Sequence, residues 1–125
     1  MYILFERLCV HINKEIKNII SKTIKERWKV IDGYTDVYLI TETGNVYCYR
    51  DESSKHGWKG LRKLCLKGRN NPKRYLSVCL SENNKQKYVQ VHRLVGMYFV
   101  KGYFDGAVIN HKDRDIHNNE YTNLE

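Results

Sequence analysis

Apolar residues recur every fourth position through the first part of the chain, at Leu4, Leu8, Ile12, Ile16, Ile20 and Ile24, with Ile19 beside them and Glu, Lys and Asn opposite. Side chains four apart share one face of a helix, so this spacing predicts an amphipathic helix from Met1 to about Lys25. Its apolar face packs on the chain's own domain or on a second copy, with a partner or membrane surface as the alternative. From Glu26 the pattern changes to aromatic and β-branched residues, Trp28, Val30, Ile31, Tyr34, Tyr38, Ile40, Val46 and Tyr47, interrupted by Asp32-Gly33 and Thr43-Gly44-Asn45. Gly beside Asn or Asp supplies the positive backbone angles of tight turns, so Val37 to Thr41 and Asn45 to Tyr49 are expected to pair as a hairpin. Tyr75 to Leu80 and Lys87 to His92 alternate apolar and polar positions around Ser81 to Lys85, which signals a second hairpin. Directly after it, Leu94, Val95, Tyr98 and Phe99 return to helical spacing. Lys101 to Gly106 is expected as a loop. Ala107, Val108 and Ile109 then make a short strand that runs into Asn110-His111 and a polar loop dense in Asp, His and Asn. The whole is an α+β chain: an N-terminal helix, a small β-hairpin module, then hairpin, helix and strand.

Composition adds a partner to this picture. A chain of 125 residues with 42% hydrophobic and 29% charged residues suits one folded domain, or a small domain with an appendage. Its net charge of +8 favours a polyanionic partner, nucleic acid ahead of an anionic membrane. The charge is concentrated. Between Ser53 and Ser81 no acidic residue occurs, while Lys55, Lys59, Arg62, Lys63, Lys67, Arg69, Lys73 and Arg74 are all basic. Gly57, Gly60, Gly68 and Pro72 among them argue for loop and strand rather than helix. Cations in such a run neutralise phosphates and release counterions. Lys59, Arg62, Lys63, Lys67, Arg69, Lys73 and Arg74 are therefore the candidate nucleic-acid contacts, although a basic run is also compatible with a solvated surface. The cysteines, Cys9, Cys48, Cys65 and Cys79, form no Cys-x-x-Cys pair, which argues against a zinc site and for reduced thiols near a core. No apolar run approaches the length of a membrane span and no secretory signal opens the chain, so a cytoplasmic protein without a membrane partner is expected.

The last eighteen residues carry the chemistry. Asn110, His111, Lys112, Asp113 and Arg114, then Asn118-Asn119, then Thr122-Asn123-Leu124, resemble the HNH nuclease motif in its homing-endonuclease branch. Two more stretches agree. Glu26 to Tyr34, Tyr38 to Thr41 and Gly44 to Tyr47 resemble the short module commonly placed before HNH domains in phage and intron-encoded endonucleases. Val91-His92-Arg93-Leu94-Val95, followed by Tyr98-Phe99, matches a segment that precedes the motif in the same family. The resemblance implies a DNA endonuclease hydrolysing phosphodiesters with one divalent metal ion, most often Mg2+, on double-stranded DNA, with no small-molecule cofactor. By the same resemblance His111 is the general base, Asn110 a metal ligand through its carbonyl oxygen, and Asn123 orients the base or braces the loop. Asp113 or Asp115 would supply a further metal ligand. The third member of the family's motif lies on a helix after the Asn-Leu step, so the ββα-metal motif is expected to be incomplete at Glu125, with residues 1–25, 26–52, 53–74 and 75–125 as helix, β module, basic linker and HNH domain. A DNA-binding protein without catalysis, derived from a truncated HNH nuclease, is the alternative function. An RNA-binding basic protein is a third reading, resting on charge and aromatics alone. His92 is expected as a structural histidine at the start of a core helix, and His117 and Asn118-Asn119 as loop and turn formers.

Overall fold

The computed structural model describes residues 12–51 and 57–125. Leu4, Leu8 and Cys9, and Lys55 of the basic run, lie outside the described residues. The helix expected at the start is present as α1, Lys14–Thr23. Asn13 caps it by accepting from the Ile16 amide through its side chain at 2.9 Å. Ile24 is already extended. Ile20 and Ile24 are buried, but Ile19 remains 46% exposed, so the apolar face is narrower than the sequence stripe.

Four antiparallel strands follow in the order β1 (Trp28–Val30), β2 (Val37–Thr41), β3 (Val46–Arg50) and β4 (Gly60–Lys63). Within β2 side chains alternate between two covered faces, which explains why successive residues from Tyr38 to Thr41 are all buried. Leu39 points to one face, where it meets Ile20 and Ile24 of α1. Tyr38 and Ile40 point to the other, into the main core with Val46, Cys48, Val78, Leu80, Leu94 and Leu124. Both faces of this sheet are covered. Burial pushes the Cys48 thiol up to about 11, so it stays protonated near neutral pH. Among the described residues Cys65 is exposed and Cys79 half-buried.

The second hairpin comprises β5 (Ser77–Glu82) and β6 (Lys85–Gln90). Its turn is tighter than the loop expected from Ser81 to Lys85, because Asn83 and Asn84 adopt positive φ of 52° and 62°, which Asn tolerates better than most residues. Helix α2, Val91–Phe99, begins where β6 ends and buries Val91, His92, Leu94 and Val95. The Tyr98 hydroxyl ties it to the first sheet by accepting from the Asp32 amide at 2.8 Å. The strand expected at Ala107 to Ile109 does not form. Val108 is 79% exposed, and pairing begins only at Asn110, which exchanges backbone hydrogen bonds with Glu125. Ile109 is set by packing instead: a Cβ on Gly96 would collide with its side chain, so the absence of one lets the segment lie against α2.

Candidate active site

The polar loop is closed by its own ends. Asn110 and Glu125 exchange amide-to-carbonyl bonds of 2.9 and 3.1 Å, His111 bridges Leu124, and the Lys112 amide donates to the Asn123 carbonyl. A 3₁₀ turn, Tyr121–Asn123, completes the return. Inside the loop the side chains brace one another. Asn123 accepts from the Asp113 amide at 3.1 Å and donates to Asp113 Oδ1 at 2.9 Å and to the Asn118 carbonyl at 2.8 Å. Asp113 Oδ2 accepts from Asn118 Nδ2, and Asp113 Oδ1 from the Asp115 amide. Hydrogen bonds from Asn118, Asp115 and Asn123 hold the Asp113 carboxyl below the usual carboxylate range. Asn123 and Asp113 thus make contact with each other, and neither has a hydrogen bond to His111.

The residue that does is Asn119, whose Oδ1 lies 2.8 Å from His111 Nε2 and which is only 3% exposed. With the amide oxygen accepting, Nε2 carries the hydrogen and Nδ1 keeps its lone pair. From sequence Asn119 reads as a turn former. What marks it is its neighbour across the fold: Gly44, at φ 92°, stands so close that a Cβ there would come within 2.8 Å of Asn119 Cβ. The β2–β3 turn that carries Gly44 is itself fixed by Glu26, which accepts from the Thr43 amide and hydroxyl and from Asn45 Nδ2. Burial raises the Glu26 pKa, but the bonds from Thr43 and Asn45 outweigh it and keep the carboxylate ionised. Two further contacts join this turn to the loop. The Tyr121 amide donates to the Glu42 carbonyl at 2.8 Å, and the Arg27 guanidinium lies over the rings of Tyr121 and Phe99 while its Nε pairs with Glu42.

His111 has aromatic company. Its ring centroid is 5.3 Å from that of His92 and 5.9 Å from Tyr75, and Tyr75 stacks on His92 at 4.6 Å. His92 is buried, with Nδ1 lacking a hydrogen-bond partner among the described residues. Burial, reinforced by His111 and Arg93, pushes its pKa from 6.5 down to about 4. The unfolded chain takes up this proton near 6.5 and the fold only near 4, so stability should fall as pH drops through that interval. Thermal melts at about pH 7 and about pH 5 check this: the drop should shrink in His92→Phe, and an equal drop in both proteins would exclude His92 as the cause.

His117 Nε2 lies 2.8 Å from the Arg74 carbonyl, docking the end of the basic run onto the loop. Of the basic candidates, Lys73 and Arg74 therefore stand beside the site. Lys59, Arg62, Lys63, Lys67 and Arg69 are exposed farther along the run, with Arg62, Lys63 and Lys59 in or next to the edge strand β4, where charge also discourages pairing with other chains. The Arg62 guanidinium is stacked on Trp58, which Arg50 covers as well. Among the described residues no three His, Cys, Asp or Glu side chains converge as a metal cage. The Asn110 side chain is exposed and has no hydrogen bond among the described residues.

No family model matches the chain. It is 38% identical over 97 residues to DNA endonuclease I-HmuI of Bacillus phage SP01, a match covering 78% of this chain and 49% of that protein. It is 36% identical over 88 residues to an uncharacterized HNH endonuclease of Acanthamoeba polyphaga mimivirus, covering 70% of the chain and 23% of the relative. A solved structure described as DNA binding and cleavage by the HNH homing endonuclease I-HmuI aligns with a TM-score of 0.57 and 33% identity, over 78% of this chain and 50% of that one. By sequence and by fold the chain belongs with the HNH homing endonucleases. It spans about half the length of the phage relative and less of the mimivirus one.

Proposed function

We propose that the chain is a DNA endonuclease of HNH type, with His111 as the general base of a metal-dependent phosphodiester hydrolysis. The observation that carries this reading is the 2.8 Å contact between His111 Nε2 and Oδ1 of the buried Asn119, which fixes the ring and, with the amide oxygen accepting, leaves the Nδ1 lone pair free to take a proton. Hydrolysis needs a proton taken from water, and a neutral imidazole in a fixed orientation takes it at near-neutral pH. The donors present fit a hard cation. The exposed carbonyl oxygen of Asn110 and the loop-braced carboxylate of Asp113 would be the oxygen ligands, and magnesium characteristically takes one or two protein oxygens and completes its shell with water and phosphate. When bound, the ion supplies positive charge where the phosphate oxygens gain negative charge. Asn123 serves as a positioning residue: it ties Asp113 to Asn118 and so holds the loop on which Asn110 and His111 stand. Tyr75 and His92 wall the ring of His111 and limit its rotation.

The partner is double-stranded DNA, met along the basic run, in the cytoplasm of the cell that makes the protein. Among the described residues no helix is long and apolar enough to cross a membrane. Changing Arg62, Lys63, Lys67 and Arg69 together to glutamate should weaken DNA binding and flatten its salt dependence by roughly 0.9 in slope for each phosphate no longer neutralised. Titrations across a salt series check this, and an unchanged slope would leave the run as surface only. Nicking of plasmid DNA in the presence of magnesium tests the enzymatic part of the proposal.

A further inference from the structure

Beside the His111 loop lies a groove of about 720 Å3 whose lining includes Lys73, Arg74, Tyr75, Lys87, Tyr88 and Arg93. That volume falls in the range of ligand pockets, roughly 300–1,000 Å3. Four cations and no carboxylate line it, which suits phosphate. Phosphate alone does not account for its aromatic rings. Tyr88 is 60% and Tyr75 44% exposed, although tyrosine on a strand or beside a core usually buries its ring. A paired duplex offers phosphates outward and keeps its base faces covered by stacking. Cations combined with open aromatic faces match a strand whose bases are unstacked. The groove also adjoins the chemistry, because Tyr75 lines it and is packed against both His92 and His111.

We propose that this groove receives an unpaired nucleotide of the bound DNA, with its base on Tyr88 and its flanking phosphates met by Lys73, Arg74, Lys87 and Arg93. The chain then prefers DNA that is locally opened next to the phosphate facing His111. This inference rests on the reading of the chain as a DNA nuclease and specifies the form of DNA it takes. Tyr88 is opposite Cys79 in the β5–β6 ladder and outside the His111 cluster, so it can be changed without touching the base.

The test uses the full chain, a short duplex, and the same duplex with a few mismatched pairs carrying 2-aminopurine, both at one salt concentration. The opened duplex should bind on the order of tenfold more tightly, and its fluorophore should be quenched on binding. Tyr88→Thr keeps strand propensity while removing the ring, and should abolish both the preference and the quenching. Tyr88→Phe should retain both, and Lys87→Ala should weaken binding to the two duplexes alike. Equal affinity of the unaltered chain for both duplexes overturns the proposal, as does a preference that survives Tyr88→Thr. Tighter binding of an RNA loop than of the opened DNA also overturns it, by assigning the groove to RNA. Because the readout is binding, the nuclease reading fails separately: a chain that discriminates the duplexes but never nicks them keeps the groove and loses His111 as a base. A chain that binds neither duplex loses both.

Discussion

Replacing His111 with alanine is expected to lower metal-dependent DNA nicking by on the order of a hundred- to ten-thousandfold, the usual contribution of a positioned general base, while leaving DNA affinity nearly unchanged. The separation follows from where the residue sits. His111 is held by Asn119 and walled by His92 and Tyr75. The phosphate contacts proposed along the run come from other residues. Rates on supercoiled plasmid, with affinity measured in parallel on the same protein, provide the comparison. Unchanged nicking would remove His111 from the mechanism, and a parallel loss of affinity would mean that the substitution had disturbed the loop as a whole.

Gly44→Ala should damage both fold and site, although Gly44 belongs to the β2–β3 turn and not to the polar loop. Two costs combine. An alanine at φ 92° is strained by roughly 1–2 kcal/mol, because its Cβ crowds the following carbonyl. Its Cβ would also lie 2.8 Å from Asn119 Cβ and 3.4 Å from Val91 Cγ1, so Asn119 must move, at a further cost of about 1 kcal/mol or more. A total of about 2–3 kcal/mol corresponds to a Tm lowered by roughly 10 °C in a domain of this size. Any displacement of Asn119 loosens its bond to His111, so nicking below the melting temperature should also fall while DNA affinity persists. Thermal melting by circular dichroism, paired with nicking assays, measures both effects. A variant that melts and nicks like the unaltered chain would show that the turn does not support Asn119.

That dependence explains why parts of the molecule were legible in the sequence and others were not. Local signals carried well where the structure is local. Thr43-Gly44-Asn45 marked the turn between β2 and β3, and the alternation on either side of it gave the strands. The spacing of Leu94, Val95 and Tyr98 gave α2. Asn119 reads as a turn former in the sequence because its burial and its contact with His111 depend on packing against Gly44, far away in the chain, and a buried asparagine has the same letter as a turn asparagine. Ile19 sits on the helical stripe, yet the contact with the sheet is filled by Ile20 and Ile24 together with Ile12 and Ile16. Ala107 to Ile109 have strand-forming residues but no pairing partner, and hydrogen bonding rather than propensity decides a strand. His111 and Asn110 are singled out in the sequence only by their resemblance to the HNH motif, whereas the Tyr75 and His92 rings around His111 are visible only in the fold.

The central claim is that these 125 residues carry a working base on a loop able to hold a metal ion. Incubating the chain with supercoiled plasmid and magnesium, with and without EDTA, tests it most directly. Nicked circles that appear with magnesium and are absent with EDTA are the expected result. Plasmid that is shifted on a gel yet never nicked would contradict the claim, and would make this chain a DNA-binding protein without catalysis.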